Sequence, residues 1–416
     1  MPQIFRREGN AKRNGIQQKG DYPQMKTKFL DLGKQPIANA FMTPNKCEDE
    51  FFYDLEVGFD PETKLVSHMN FVDPPLMFND TYMYHSSGSQ TMRNHFAKIS
   101  KLINFYFPRE RILEIGSNDG VFLQYFDPKK AFSVEPCGNF AKKTRELGYT
   151  TYDDFWDMEL SDIIRESEGQ VKVVYSANCM CHIPEIEEAF KAVENILHKD
   201  GVFIFEDPSV SEMLERNSYD QIYDEHAHLF SITSLDNLLE RAGLEIFHVE
   251  KTKVHGGSNR IFAQKLNSPK YNNNIVHKLI ENEFESGVDS ITTYYEFAER
   301  VEKSKKDLID LLSRLKRGKN KVVCYGATSK STSIFNYCNI GPETIDYITD
   351  TTISKQGKLS PGMHIPVVSP QEGFNLSVDY AFLGAWNYLE EIKQKEFHFI
   401  KRGGKFITHV PKVSIV

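Results

Sequence analysis

One stretch constrains this chain more than any other: an apolar strand that ends on an acid and breaks into a glycine turn. In Arg111-Ile-Leu-Glu-Ile-Gly-Ser-Asn-Asp-Gly-Val121, Glu114 lies near the strand end, and Gly116 and Gly120 are spaced Gly-x-x-x-Gly. About twenty residues after Glu114, a second apolar strand, Ala131-Phe-Ser-Val134, ends on Glu135. A glycine turn after a parallel strand lets a ligand lie against bare backbone. An acid closing the next strand can accept from both hydroxyls of a ribose. The spacing is not the dinucleotide Gly-x-Gly-x-x-Gly, and no Lys-Ser or Lys-Thr follows to hold a phosphate. These residues predict a nucleoside without a pyrophosphate, of which S-adenosyl-L-methionine is the common one. The plain alternative is an ordinary tight turn in an α/β sheet.

Composition narrows the class. A chain of 416 residues is long for one core and predicts two or three domains. With 40% hydrophobic and 26% charged residues, it has the make-up of a globular protein. A net charge of -8 argues against nucleic acid as a partner, because phosphate binding needs a basic surface. No apolar run approaches the roughly 20 residues of a membrane span, so no membrane partner is expected. Met1-Pro-Gln-Ile-Phe-Arg-Arg-Glu-Gly lacks the apolar core of a signal peptide, and the expected location is the cytoplasm. Six cysteines, none spaced Cys-x-x-Cys, do not make a disulfide framework.

Four regions follow along the chain. Residues 1–22 are polar and read as a loose tail. Residues 23–80 are short extended pieces broken by Gly, Pro and Asn (Phe29-Leu-Asp-Leu-Gly, Phe51–Val57, Leu65–Val72), a small β-rich lobe. From Ser89 the spacing turns helical and leads into the glycine turn. Strands at Val171–Ser176, Gly201–Glu206, Leu244–Glu250 and Asn259–Ala263 then alternate with helices at Glu185–His198 and Ser234–Ala242. Such alternation predicts a parallel sheet covered on both faces, with room for antiparallel late strands. This is the domain 81–280. In 281–416, Phe284–Lys316 reads as a connecting helix. Lys321-Val-Val-Cys-Tyr-Gly-Ala-Thr328 then begins a second strand-glycine-helix unit, with further strands at Thr344–Thr349, Tyr380–Gly384 and Gly404–His409.

Three more segments gather polar groups that a scaffold does not need. Tyr82-Met-Tyr-His-Ser-Ser-Gly-Ser-Gln-Thr91 precedes a helix, which its serines would also suit as caps. Ser176-Ala-Asn-Cys-Met-Cys-His-Ile-Pro184 follows a strand at the carboxyl edge, where open sheets bind ligands. Its Cys179 and Cys181 are too close in sequence for the usual zinc spacing and read as core thiols. Tyr223-Asp-Glu-His-Ala-His-Leu-Phe-Ser231 places a Tyr, a Glu and two His within six positions, enough for a base, its orienting partner and a proton donor. Alone it also fits a solvated turn or a minimal metal site.

Together these segments resemble the S-adenosylmethionine-dependent sugar C-methyltransferases, which build branched deoxysugars on nucleotide carriers. The resemblance runs from about Phe29 to the C-terminus. It rests on Leu30–Phe41, Met77–Ser87, Glu114–Gly120, Asn178–Pro184, Tyr223–Ser231, Val254-His-Gly-Gly-Ser-Asn-Arg260, Tyr325-Gly-Ala-Thr-Ser-Lys330 and Gln356–Pro366. The implied fold is α/β: a class I methyltransferase Rossmann-like sheet, a small N-terminal β-rich lobe and a second, C-terminal Rossmann-like domain. The chain departs from the family in two places. The family's lobe carries Cys-x-x-Cys pairs for a structural zinc, whereas Cys47 is the only cysteine before position 137, so no zinc is expected. Thr328, Ser329 and Ser331 also differ from the small or turn residues usual there.

The resemblance implies methyl transfer to C3 of a nucleotide-linked 4-keto-6-deoxysugar. A C–H beside a ketone is acidified because its carbanion delocalises onto the oxygen, but a base must still take the proton. The expected base is His226, with Glu225 orienting or charging it. His228 suits the same role. Tyr223, Tyr82 and His182 are expected around the ketone and hydroxyls. Glu114, Gly116, Asn118, Gly120, Glu135, Pro136, Asn178 and Ser87 are expected around the cofactor, and Tyr84, His228, His255, Lys330 and Tyr325 around the sugar nucleotide. A methyltransferase acting on oxygen or nitrogen, or a silent sugar-nucleotide binder, are the rival readings. The protein is expected to act as a monomer or homodimer.

Overall fold

The computed structural model describes residues 16–17, 26–266, 268, 274–374 and 377–416. Most of the polar segment 1–22 lies outside the described residues; its Ile16–Gln17 pair antiparallel with Phe71–Val72.

The centre is a seven-stranded sheet ordered Leu244–Thr252, Ser258–Lys265, Leu197–Pro208, Val171–Ala177, Ile112–Ile115, Ala131–Val134, Thr150–Tyr152. Its strands are continuous apolar runs because helices cover both faces; Val173, Val174, Phe203 and Phe205 are fully enclosed. Ser258–Lys265 runs antiparallel to both neighbours, and the other six share one direction. Of the late strands, therefore, only one is reversed. The order turns at Ile112–Ile115, whose neighbours are the next strand on one side and the fourth on the other. Such a switch point opens a crevice at the carboxyl ends, and Gly116, Glu135 and Asn178 all follow strands that end there.

The N-terminal lobe is a four-stranded antiparallel sheet ordered His228–Leu229, Val66–His68, Phe52–Phe59, Thr27–Pro36. Its edge strand comes from the Tyr223–Ser231 segment, with His228 opposite Ser67. No cluster of thiolates holds the lobe together. At the hairpin Asp60 Oδ1 accepts the backbone N–H of Glu62 at 2.8 Å, a turn closed by the protein itself. Below it, Tyr294 packs against Phe29 and Phe59, each ring centroid 5.0 Å away.

Tyr294 belongs to the long helix Ile291–Arg317. The single connecting helix expected over Phe284–Lys316 is in fact two, Asn274–Glu285 and Ile291–Arg317, divided near Gly287 with φ +71°. The C-terminal sheet is ordered Val367–Val368, Ile348–Thr349, Val322–Tyr325, Tyr380–Leu383, Lys405–Thr408, Ser414–Ile415 and is parallel except for the last strand. The strand expected over Thr344–Thr349 is only Ile348–Thr349; Gly341–Ile345 instead forms a hydrogen-bonded turn.

Candidate active site

A cavity of about 600 Å³ opens where the carboxyl ends of the two α/β sheets face each other. One wall is the glycine turn. Gly116 has φ +77°, and a Cβ there would meet Cys179 Sγ at 2.7 Å, so only glycine lets the Asn178–His182 loop close over it. Glu135 is 4% exposed. Its Oε2 accepts from the Asn118 backbone N–H at 2.6 Å and its Oε1 from that of Cys137 at 2.9 Å. Burial pushes its carboxyl up to about 7 against the pull of those N–H groups. Asn178, at φ +51°, donates its N–H to Glu206 O and leaves Oδ1 buried without a protein partner. Pro136 lines the same wall, as do Phe155, Trp156 and Asp157 just after the third parallel strand. These last three were missed in the sequence, although a loop following a strand at that edge was the available signal.

An acid with spare lone pairs beside an orphaned amide oxygen suits the ribose hydroxyls and ammonium of S-adenosylmethionine. Glu135→Ala should weaken its binding by about 1–3 kcal/mol, the cost of a lost charged hydrogen-bond pair. Affinity should also fall as pH drops through 7, where the carboxyl gains a proton and loses an acceptor site. Calorimetry giving an unchanged affinity for the variant would remove Glu135 from the site.

Other residues expected at the cofactor have structural duties. Glu114 is enclosed behind the wall, its carboxyl pushed well above the usual range by burial and by the charges of Glu135 and Asp119. Gly120 faces helix Gly138–Glu146, with Thr144 Cγ2 only 3.2 Å from where a Cβ would sit. Ser87 donates its hydroxyl to Asp119. Asn118 reaches the cavity but spends its side chain on the Tyr82–Thr91 loop, accepting from Ser86 N at 2.9 Å and donating to Tyr84 O at 3.0 Å. Ser89 caps the following helix, as the plain reading of that segment allowed.

The polar cluster forms the floor. His226 Nδ1 lies 2.6 Å from Gln221 O, and its Nε2 lies 2.8 Å from the Tyr223 hydroxyl. A carbonyl can only accept, so Nδ1 carries the proton and Nε2 presents its lone pair to Tyr223. Burial holds His226 well below its ordinary pKa, neighbouring His182 and Lys330 add to this, and the ring is neutral. His182 stacks on it at 5.4 Å and on Phe78 at 5.3 Å; its buried Nε2 has no protein partner. Glu225 Oε2 accepts from the Tyr82 hydroxyl at 2.7 Å. Burial pushes its carboxyl up to about 7.

Two expectations need correcting here. His226 is oriented by the Gln221 carbonyl, not by Glu225, whose carboxylate is engaged by the Tyr82 hydroxyl instead. His228 lies outside the cavity: its Nε2 donates to Ile183 O and Pro184 O, each 3.0 Å away, and its backbone is tied into the lobe sheet. A metal reading of the floor is unattractive. Ligand atoms of Cys181, His182 and His226 lie within 4.8 Å of one another. Yet the two rings are stacked, so their in-plane lone pairs run side by side, and both His226 nitrogens are already engaged.

The far wall comes from the C-terminal domain. Lys330 Nζ donates to Gln221 Oε1 at 2.6 Å, and Lys355 Nζ to Asn39 Oδ1 and Ala327 O, both at 2.8 Å. Both ammonium groups are buried at the cavity, and burial lowers Lys355 to about 8. His255 and Tyr84 line the cavity too. Tyr325 does not: its hydroxyl turns away to Glu396 Oε1 at 3.0 Å, on the outer side of the strand. Lys355 was not singled out in the sequence, where nothing distinguishes it from other lysines beside a glycine turn.

Family profiles match along the chain: "Putative zinc binding domain" over 23–78, a methyltransferase domain over 92–249 and the C-methyltransferase C-terminal domain over 253–411. The chain is 30% identical over 396 residues to the C-methyltransferase NovU of Streptomyces niveus, covering 93% of each protein. This chain belongs to the S-adenosylmethionine-dependent C-methyltransferases. Its central domain has the class I methyltransferase Rossmann-like fold. Solved structures similar to it include an S-adenosylmethionine-dependent methyltransferase from Clostridium acetobutylicum (15% identity, 43% of this chain and 93% of that one, TM-score 0.33). Another is the CcbJ methyltransferase of Streptomyces caelestis (12% identity, 41% and 89%, TM-score 0.32).

The zinc profile meets a lobe that cannot supply four thiolates. Cys47 is the one cysteine in the matched stretch, and Asp60 makes a self-closed turn in the hairpin. Among the described residues, no group of three metal-ligating side chains lies in the lobe. The residues present do not fit a four-thiolate zinc.

Proposed function

We propose that this enzyme methylates C3 of a nucleotide-linked 4-keto-6-deoxysugar through an enolate. The observation that carries the reading is one cavity with three unlike walls: a glycine turn backed by a buried acid, a neutral histidine whose Nε2 lone pair faces the Tyr223 hydroxyl, and two buried lysines. The two ammonium groups face Asp220, Glu225 and Asp350 and keep N–H groups to spare at the cavity, which suits the anionic pyrophosphate of a nucleotide carrier.

When bound, S-adenosylmethionine supplies an electrophilic methyl on a positively charged sulfur. The chain's own residues do the rest. Tyr223 and His226 form the proton acceptor: the Tyr223 hydroxyl donates to His226 Nε2, so a proton leaving the substrate carbon passes to Nε2 directly or through that hydroxyl. The Gln221 carbonyl then holds the imidazolium through Nδ1–H. His182, whose buried Nε2 has no protein partner, stands beside the acceptor, where a hydrogen-bond donor to the enolate oxygen lowers the barrier by several kcal/mol. Glu225 holds the Tyr82 hydroxyl in place. Positioning the carbon in line with the methyl is the protein's main remaining task.

The test is incubation with labelled S-adenosylmethionine and a panel of nucleotide-linked 4-keto-6-deoxyhexoses, with the label located by NMR. Label at C3 supports the reading. Label on oxygen or nitrogen, without C3 hydrogen exchange, would replace it with a heteroatom methyltransferase. We also propose that the lobe holds no structural zinc: elemental analysis of the purified protein should show no stoichiometric zinc, and one zinc per chain would refute it.

A further inference from the structure

The turn that anchors His226 is gripped by the C-terminal domain. Tyr219–Gln221 is a single 3-10 turn whose side chains are all buried, at 1%, 0% and 2% exposure. Lys330 donates to Gln221 Oε1, while Gln221 Nε2 donates to His255 O. The preceding residue is held as firmly. Trp386 Nε1 donates to Asp220 Oδ2 at 2.6 Å, and His409 Nε2 lies 3.4 Å from Asp220 Oδ1. Tyr219 packs edge-on against Tyr337 and His409. Lys330, Trp386 and His409 follow the strands Val322–Tyr325, Tyr380–Leu383 and Lys405–Thr408. All three therefore stand on the carboxyl edge of the C-terminal sheet, the edge where an open α/β sheet ordinarily takes a ligand.

We propose that Asp220 and Gln221 are positioning residues for the base, and that the C-terminal domain sets the direction and tautomer of His226 by holding them. Part of the C-terminal edge faces the substrate cavity, and the rest binds this turn as if it were a ligand. The carbonyl that fixes the proton on Nδ1 belongs to Gln221, so a turn that shifts would let the ring rotate or exchange tautomers. Gly256 reports how little slack there is. It has φ +92°, and a Cβ there would lie 2.8 Å from both Gln221 Nε2 and a Trp386 ring carbon.

This inference rests on His226 being the base, and the experiment separates the two. Gln221→Met keeps the backbone carbonyl and the side-chain volume but removes both hydrogen bonds of the side-chain amide. Trp386→Phe keeps the packing and removes the donor to Asp220. Each is expected to slow C3 hydrogen exchange by about 10–10²-fold through misplacement of the base, with S-adenosylmethionine affinity unchanged. Nitrogen NMR of histidine-labelled full-length protein should show His226 as a pure Nδ1–H tautomer in the native enzyme and as a mixture in both variants. Merely loosened packing would not change the tautomer. His226→Asn is measured alongside. If it abolishes exchange while both variants keep native exchange and tautomer, the positioning role is overturned and the base stands. If His226→Asn leaves exchange intact, the base assignment falls and takes the positioning role with it.

Discussion

His226→Asn should abolish exchange of the substrate C3 hydrogen with solvent together with methylation, a loss of roughly 10²–10⁴-fold in each. Both reactions need the same proton removed, and the neutral ring with its lone pair at Nε2 is the group placed to accept it. Binding of S-adenosylmethionine should survive, because Gly116, Glu135 and Asn178 lie on another wall. The pH profile adds a second check. Burial holds His226 far below 6.5, so exchange should stay level from pH 8 down through 6 on its account. A bend centred near 7 that persists at saturating S-adenosylmethionine would point instead to Glu225, whose carboxyl is pushed up to about 7; below saturation Glu135, pushed up as far, adds a bend of its own. Glu225→Gln should then remove that bend; it should slow exchange less than His226→Asn, since Tyr82 keeps a partner in the amide oxygen. If His226→Asn left exchange at the native rate, the enolate route would lose its base.

The second large effect is structural. Tyr294→Ala should destabilise the protein by about 3–5 kcal/mol, the usual cost of removing a buried aromatic ring. The ring is fully enclosed, sits between Phe29 and Phe59, and donates its hydroxyl to Val288 O at 2.7 Å. In a lobe without a four-thiolate metal site, this packing is what ties strands Thr27–Pro36 and Phe52–Phe59 to the long helix. Thermal unfolding followed by near-ultraviolet dichroism should show the loss. Tyr294→Phe should recover most of it, leaving only the hydroxyl's hydrogen bond unmade. A Tyr294→Ala protein as stable as the native one would mean that something other than this ring holds the lobe.

The parts of the site legible in the sequence were those whose chemistry is local. A glycine turn, an acid one strand later and a Tyr-x-Glu-His run each carry their geometry in the spacing, so Gly116, Glu135, Asn178, Tyr223 and His226 all reached the cavity. Side-chain direction on irregular backbone is not local. Glu225 turned to Tyr82, 143 residues away, and His228 turned to the carbonyls of Ile183 and Pro184. Tyr325 went wrong for a simpler reason: alternate residues of a strand face opposite sides, and nothing in Val322–Tyr325 says which side is the cavity. Lys355 and Gln221 gain their meaning only from docking of the C-terminal domain, which no single segment encodes. The fold fared better because the alternation of apolar strands and amphipathic helices repeats over long stretches. Its lapses were short elements such as Ile348–Thr349, and the helix break at Gly287.

The pairing of His228–Leu229 with Val66–His68 bears on how such an enzyme can be cut and recombined. The strand that completes the lobe's sheet begins two residues beyond His226, so the first and second portions of the chain are stitched at the turn proposed to carry the base. A fragment starting after the lobe would leave that strand as a bare edge, open to pairing with other molecules. Chimaeras that exchange the N-terminal lobe between relatives should therefore keep activity only when the complementary stretch around His228 travels with it. In breeding new variants, the lobe and the catalytic loop are one heritable unit.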